Sequence, residues 1–485
     1  MQEEGRAAET SPGYVDWRNR AALKGKHGGM LAASFVLAAE VLENLAFLAN
    51  ASNLVTYLTG SMYFSPARSA TAVTNFMGTA FLLALLGGFL SDAFFTTYLI
   101  FIVSTTVDSL AGAEAADVRE GPCEAASGGK AALLFAGLYV VALGSAASRF
   151  DGETGRGRRE RSTFFNYFVF CLATGGLIAV TFVVWIEDNK GWQWGFAIAT
   201  ISIALSAVIF VAASPVSRSK LPREAPSPPL PRFLNRAVKR KPIFQTLACT
   251  VDELEQVKVI VRILPIFVST IMLNCCLAQL STFSIEQAAT MDTKLGSLVV
   301  PPASLPIFPV VFIMVTGNES GITHLQRIGV GLVLSILAMA VAALVELKRK
   351  RVAARSDMLD SSSPLPISFF WVALQYLFLG SADLFSLAGL LEFFFTEAPW
   401  GMRSMATSLS WASLATGYYL SSVLVTIVNG ATGGGGRRPW LSGSNLNYYR
   451  LERFYWLMCI LSTLNFLQYL FWASRYKYRH PVPKA

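Results

Sequence analysis

The chain has 485 residues; 53% are hydrophobic, only 15% are charged, and the formal net charge is +9. A soluble protein carries about 25% charged residues, so this composition, with its many apolar runs of spanning length, indicates a protein that crosses a membrane several times. The basic residues lie between apolar segments and do not indicate a nucleic-acid partner.

Residue types that carry enzyme chemistry are sparse. The chain shows no nucleotide-binding loop, and its six cysteines have no metal-ligand spacing. The three histidines, His27, His324 and His480, do not complete a Ser-His-Asp set. We therefore expect neither an enzyme nor a cofactor.

Two carboxylates lie in the first long apolar run. Residues 1–29 are charged and polar, and we expect a cytoplasmic tail. The run from Met30 to Leu58 can cross a bilayer, and it contains Glu40 and Glu43, which share one helix face because they are three residues apart. An ionised carboxylate near the bilayer centre is expensive and usually faces a bundle interior or a water-filled path. We expect this face to carry the chemistry of the protein.

Twelve apolar segments are predicted to span the membrane, six before and six after a basic, proline-rich stretch. Clustered prolines cannot continue a helix, so this stretch is interpreted as a flexible cytoplasmic linker. The predicted domains are the tail 1–29, a six-helix bundle 30–214, the linker 215–256, a second six-helix bundle 257–474 and a cytoplasmic C-terminal tail 475–485. The predicted spans are 30–58, 71–92, 94–111, 131–148, 164–187, 192–213, 257–285, 298–316, 323–346, 366–394, 403–430 and 453–474.

The distribution of Lys and Arg favours an orientation with both termini and the linker inside, because those segments then hold most of the positive charge. The run Lys348-Arg-Lys-Arg351 argues against this orientation, because the run then lies outside. If that run is cytoplasmic, the second bundle has an odd number of spans, and the predicted eighth span is in error.

Several short motifs occur in a specific order. They are Gly88-Phe-Leu-Ser-Asp92 in the second span, Phe164-Phe-Asn166-Tyr-Phe168 before Gly175-Gly176, Ile186-Glu-Asp-Asn-Lys-Gly-Trp-Gln-Trp-Gly-Phe196, Arg262-Ile-Leu-Pro265, Thr282-Phe-Ser284, Glu392-Phe-Phe-Phe-Thr-Glu-Ala-Pro399 and Asn445-Leu-Asn-Tyr448. This order resembles the plant nitrate/peptide transporter family, the plant branch of the proton-coupled oligopeptide transporters. The first span, from Glu43 to Leu54, resembles that family's fourth subfamily.

The resemblance implies a fold and an activity. The fold would be an all-α membrane protein with the major facilitator architecture, twelve transmembrane helices in two six-helix bundles around a central cavity. The activity would be secondary transport of a small solute by alternating access, coupled to protons, in the plasma membrane. The fourth subfamily implies a plant hormone, such as abscisic acid or gibberellin, or nitrate. The expected partners are the solute, protons and membrane lipid.

The resemblance also implies site residues. The family's first-span motif, Glu-x-x-Glu-Arg, is linked to proton coupling, and here it is Glu40-Val-Leu-Glu43-Asn44, without the arginine. Glu392 matches the family's pocket carboxylate, and Asn44 and Asn166 are expected as neutral hydrogen-bonding neighbours of the substrate. A pocket without the arginine suits an apolar organic acid better than a peptide zwitterion, and nitrate stays open.

Two segments depart from the family pattern. The fourth span stops soon after Gly144, where Arg149 follows, and the eighth passes from Val315 to Gly317 without the family's further helical stretch. We therefore expect helices 4 and 8 to be shortened. This leaves an alternative function, a non-transporting or impaired splice-type variant that acts as a binder or receptor-like membrane protein.

Overall fold

The computed structural model describes fifteen stretches of the chain, and all structural statements concern these. They are residues 10–15, 20–23, 29–60, 63–93, 167–168, 170–172, 174–215, 219–220, 251–295, 298–305, 323–360, 363–397, 403–433, 438–443 and 445–476.

The described residues are mainly long helices. In chain order they are α1 Gly29–Gly60, α2 Pro66–Ala93, α3 Phe170–Lys190, α4 Trp192–Ala212, α5 Val251–Leu277, α6 Phe283–Ala289, α7 His324–Arg355, α8 Phe370–Glu397, α9 Arg403–Thr432 and α10 Leu451–Arg475. By length and composition, seven described helices can cross a membrane. Eight of the predicted spans each coincide with one of these ten helices: the first, second, fifth, sixth and ninth to twelfth. The predicted third and fourth spans, 94–111 and 131–148, lie outside the described residues.

The predicted seventh span, 257–285, is wrong as a single helix. α5 begins earlier, at Val251, and ends at Leu277, and α6 follows after a turn. In this turn the hydroxyl of Thr282 donates to the Ala278 carbonyl oxygen at 2.7 Å. The backbone there changes to tighter i→i−3 bonds, since the Gln279 and Leu280 amides donate to the carbonyl oxygens of Cys276 and Leu277 at 3.0 Å, and α5 ends at this point.

The first residues of the predicted eighth span, 298–316, are also not α-helical. Leu298–Val299 forms a strand that pairs with Lys294–Leu295, and Pro302–Ser304 is a 3₁₀ turn. The physical reason is the prolines in this stretch, since a proline lacks an amide hydrogen and clashes with the preceding turn. Residues 306–316 of this span lie outside the described residues.

A small sheet places the N-terminal tail beside the start of the linker. β1 (Thr10–Val15) pairs in antiparallel fashion with β2 (Ala21–Leu23) and with β3 (Ser219–Lys220). Tyr14 lies opposite Lys220 in this pairing. The start of α1 and the end of α4 therefore meet at one end of the molecule, which we call the tail end.

A second strand pair lies at the opposite end. β4 (Met291–Asp292) follows α6 and runs parallel to β5 (Leu365–Ser368), which precedes α8. The Leu365 amide donates to the Thr290 carbonyl oxygen at 2.9 Å. The end of α6 and the start of α8 are thereby held together.

The basic run Lys348 to Arg351 lies at this second end, and its charges have partners. Arg349 is fully buried, and its guanidinium donates to both carboxylate oxygens of Glu346, at 2.8 and 2.7 Å. It also donates to Asn447 Oδ1 at 2.6 Å and to Thr290 Oγ1 at 2.9 Å.

Two other members of the run are also engaged. Lys350 Nζ lies 2.6 Å from a Glu452 carboxylate oxygen, and Lys348 Nζ lies 3.2 Å from the centre of the Trp371 ring. Internal pairing thus accounts for a strongly basic run at the end of the bundle opposite the tail.

Removal of Arg349 tests this network. Arg349→Met leaves the buried Glu346 carboxylate without its counter-ion, which typically costs about 3–5 kcal/mol. We expect a clear loss of thermal stability in detergent and recovery of most of it when Glu346→Leu is added. Arg351→Gln, at an exposed neighbouring position, is the control. A single Arg349→Met variant as stable as the parent would show that the pair has no structural role.

Candidate functional site

Glu40 and Glu43 lie on a buried face of α1, where the first bundle packs most tightly. Glu40 is 1% exposed and Glu43 is 4% exposed. Ser206 of α4 donates to Glu43 Oε1 at 3.4 Å. Neither carboxylate oxygen of Glu40 has a hydrogen-bond partner among the described residues. The predicted helix face is therefore confirmed as a buried polar face inside the bundle.

Asn44 links α1 to α3. It is 6% exposed, and its amide nitrogen donates to the backbone carbonyl oxygen of Leu172. The side chain that replaces the family's arginine therefore joins two helices. Its role in substrate binding stays a prediction.

A glycine allows α3 to reach this face. A Cβ atom at Gly175 would lie 2.3 Å from the Val41 carbonyl oxygen and 3.2 Å from the Leu45 amide nitrogen. Small residues at helix crossings let the backbones approach closely. Gly175 therefore sets the distance between α3 and the turn of α1 that carries Glu40 and Glu43.

The arrangement has a definite electrostatic property. A carboxylate buried in an apolar bundle without hydrogen-bond donors is costly as an anion and much less costly when protonated. Glu40 lies in such an environment among the described residues. The predicted role of Glu40 in proton coupling stays a prediction.

Glu392 lies elsewhere on the second bundle. Its carboxylate oxygen Oε2 is 3.3 Å from His324 Nδ1 and 3.5 Å from Arg327 Nη1, both at the start of α7. Its side chain is 53% exposed. The structure thus places Glu392 in a half-exposed ion-pair group towards the tail end. Asn166, the remaining predicted substrate residue, lies outside the described residues.

Glu286 is a buried carboxylate that the sequence analysis does not single out. It lies in α6, is 8% exposed, and both of its oxygens lack a hydrogen-bond partner among the described residues. It falls one residue beyond the predicted end of the seventh span. The apolar residues Phe283, Ile285 and Ala288 around it are the signal that could have placed it in the bundle.

Direct contacts join the two bundles along α2 and α9. Thr79 of α2 and Tyr419 of α9 share a hydrogen bond of 2.6 Å, and the rings of Phe81 and Trp411 stack with their centres 5.7 Å apart. The amide of Ala67 donates to the Tyr449 hydroxyl at 3.2 Å. α2 and α9 therefore form a seam between the two halves of the chain.

Comparison with known families decides the class of the protein. The family model PTR2, described as the POT family, matches residues 93–241 and 232–441. The chain belongs to the POT family. It is an integral, multi-pass membrane protein of a transporter family.

The similar plant proteins come from Arabidopsis thaliana. Protein NRT1/PTR FAMILY 4.6 is 55% identical, with 96% of this chain and 97% of the relative covered. Protein NRT1/PTR FAMILY 4.5 is also 55% identical, with 96% of each chain covered. The resemblance to the plant family and to its fourth subfamily is confirmed.

Solved structures of POT proteins share the fold. An auto-inhibited POT family peptide transporter superposes with a TM-score of 0.71 at 17% identity and covers 94% of this chain and 99% of its own. A POT family transporter in complex with 5-aminolevulinic acid gives a TM-score of 0.68 at 12% identity, with 93% and 98% covered. The major facilitator fold of twelve helices is confirmed.

The Gly175 contact generates a prediction about the site's support. In Gly175→Ala the new methyl group meets backbone atoms of α1, so α3 must move away, at a cost of about 1–3 kcal/mol. We expect a lower melting temperature of the purified protein. Gly430→Ala is the matched control, because a Cβ atom there meets nothing within 4 Å, and it should be neutral or stabilising. Equal melting temperatures of Gly175→Ala and the parent would contradict the close packing of α3 on α1.

Proposed function

We propose that this POT family protein is a proton-coupled secondary transporter of the plasma membrane. It moves a small acidic solute, either a plant hormone of the abscisic acid or gibberellin type or nitrate, by alternating access. The observation that supports this proposal best is the buried pair Glu40 and Glu43 on α1, with Glu40 lacking hydrogen-bond donors among the described residues.

Proton binding at this pair provides the coupling. Both carboxylates lie one helical turn apart on the same face, so a second negative charge there is strongly disfavoured when the first is present. One proton removes that repulsion and part of the burial cost. Because proton and solute then favour the same conformations, the inward proton gradient drives uptake of the solute.

The second bundle supports an acidic solute, because Arg327 stands beside Glu392 and provides a cationic group, with His324 next to it. α1 disfavours a peptide zwitterion, because Asn44 offers a neutral amide where a peptide carrier has a cation. In this proposal Glu392, Asn44 and Asn166 contact the solute, and a carboxylate or nitrate competes with Glu392 for Arg327.

Uptake measurements test the proton role. Glu43→Gln removes a titratable group without changing the side-chain size, and the coupling between two ligands typically changes affinity about 5–150-fold. We expect proton-driven uptake to fall by about that range while the amount of folded protein stays normal. The double Gln variant at positions 40 and 43 should lose the pH dependence of uptake altogether.

The control for this test is Asp357→Asn, which removes an exposed carboxylate outside the helices. It should leave the pH dependence of uptake unchanged. Full pH dependence in the double Gln variant would show that Glu40 and Glu43 do not couple protons to transport.

A second candidate function, a non-transporting binder or receptor-like variant, also has specific support. The alignment with NRT1/PTR FAMILY 4.6 runs over 568 residues, more than the 485 of this chain, so the relative contains stretches that this chain lacks. The fourth predicted span, from Ala131 to Ser148, is short for the roughly 20 residues that a crossing helix needs. Residues 298–305 form a strand and a 3₁₀ turn.

Shortened fourth and eighth helices would impair alternating access. In the predicted orientation both missing stretches lie on the cytoplasmic side, where the two bundles must meet to close the cavity. A helix that ends early must thin the bilayer or leave backbone groups unpaired. This candidate therefore predicts binding of the solute without efficient transport.

Insertion of family-like residues separates the two candidates. A variant with helical stretches added after Gly144 and after Val315 should transport faster than the parent chain in reconstituted vesicles. Binding of the solute, measured as a thermal shift of the purified protein, should be similar in both. Equal transport by the two proteins would show that the missing stretches do not matter.

A further inference from the structure

Two adjacent carboxylates share one amide at the end of the first bundle opposite the tail. Asn53 of α1 donates through Nδ2 to Glu187 Oε2 at 3.1 Å and to Asp188 Oδ1 at 3.0 Å. Both acceptor oxygens therefore lie within about 6 Å of each other. No step of the proposed function uses these residues.

The fold leaves room for the Glu187 carboxyl group inside the bundle. Its side chain is 2% exposed, and Gly195 of α4 lies directly against it. A Cβ atom at position 195 would lie 2.3 Å from Glu187 Cγ and 2.4 Å from Glu187 Oε1. The absence of a side chain at Gly195 thus leaves the room that the carboxyl group occupies. Asn53, which bridges the carboxylates, is 1% exposed and has an unpaired buried Oδ1 within the described residues.

The surrounding elements contribute little positive charge. α4, which packs against the end of α3, has no ionisable side chain, nor does the π-helical turn Ala179–Val183. α1 contributes Glu40, Glu43 and Tyr57. On α3 itself the nearby charged residues are Asp188 and the exposed Lys190.

Access to this site differs between the two carboxylates. Asp188 is exposed, whereas Glu187 is buried beneath it. Tyr57 and Trp192 form an edge-to-face contact with their ring centres 4.9 Å apart, one turn beyond Asn53 along α1. Asp188 is therefore accessible from outside the bundle, while Glu187 is enclosed between α1, α3 and α4.

We propose that Glu187 and Asp188 form a second proton-binding site, in which Asn53 holds the two carboxyl groups and only one of them is ionised at a time. Two negative charges at this separation, one of them buried, repel each other and lose hydration. A single bound proton removes the repulsion. A metal ion fits less well, because no group of three or more acidic, His or Cys side chains converges here in the described part of the chain.

The test uses the purified full chain in detergent and needs no transport. Melting temperature is measured from about pH 6 to about pH 9, a range that spans release of a proton from a carboxyl group perturbed by burial. The melting temperature of the parent should fall by several degrees as the pH rises, because release of the proton leaves two negative charges in place. Glu187→Gln keeps the hydrogen-bond acceptor for Asn53 and lacks the buried charge. Its melting temperature should therefore fall clearly less over this pH range.

Two further measurements complete the test. Asp357→Asn, at an exposed position, should follow the parent's pH profile. At neutral pH the infrared band of a protonated carboxyl group should be weaker in Glu187→Gln than in the parent. If Glu187→Gln does not fold, Asp188→Asn takes its place and should likewise reduce the alkaline loss.

A Glu187→Gln profile that follows the parent, with an unchanged carboxyl band, overturns the second proton site. Because no readout depends on uptake, this result is independent of whether Glu40 and Glu43 couple protons to transport.

Discussion

The cost of burying charge in an apolar bundle governs where the ionisable residues of this protein lie. Arg349 and Glu346 are fully buried, but each satisfies the other, and Asn447 and Thr290 accept further hydrogen bonds from the guanidinium. Lys350 and Glu452 form a similar pair. These pairs join helix ends and contribute to structure. Glu40 and Glu286 lack hydrogen-bond partners among the described residues, and their burial is compatible with a protein that binds and releases protons.

Glycines set the distance between helices both within each bundle and at the seam between the bundles. A Cβ atom at Gly175 would approach a backbone oxygen of α1 to 2.3 Å, and one at Gly331 would approach a backbone oxygen of α8 to 2.7 Å. At Gly78, on the seam between α2 and α9, a Cβ atom would lie 3.1 Å from the Tyr419 side chain and 3.3 Å from the Ala415 backbone oxygen. Small residues at helix crossings therefore bring backbones close together in both places.

The sequence predicted the features that depend on hydropathy and missed those that depend on tertiary contacts. Long apolar runs located the described helices, because a bilayer-spanning helix needs a nearly continuous apolar segment. The break after Leu277 was not predicted, since hydropathy continues through Ala278 and only the hydroxyl of Thr282 marks the turn. The buried pairing of Arg349 was also invisible, because its partner Asn447 lies 98 residues away in the chain.

The candidate site shows the same difference between what the sequence predicts and what only the structure shows. The i, i+3 spacing of Glu40 and Glu43 identified a buried face, since helix geometry alone places them together. The family motif located Glu392 on α8 but not its half-exposed pairing with His324 and Arg327, which depends on how α7 packs. In the sequence, Glu187 and Asp188 are only part of the Ile186 to Phe196 motif. Their link to Asn53 requires α1 and α3 to run side by side, which only the structure shows.

The two proposed proton sites lie at different depths along α1, because Asn53, which holds Glu187 and Asp188 of α3, is on the same helix as Glu43. This separation constrains how the sites would communicate. Asn53 and Glu43 are ten residues apart on α1, a separation of about 15 Å along its axis. No direct hydrogen bond can join groups at that distance. Asn50 lies between them, and its Oδ1 is buried without a hydrogen-bond partner among the described residues. An amide oxygen in this position can accept a hydrogen bond from an internal water. A proton that enters at Asp188 would therefore need water held near Asn50 before it could reach Glu43.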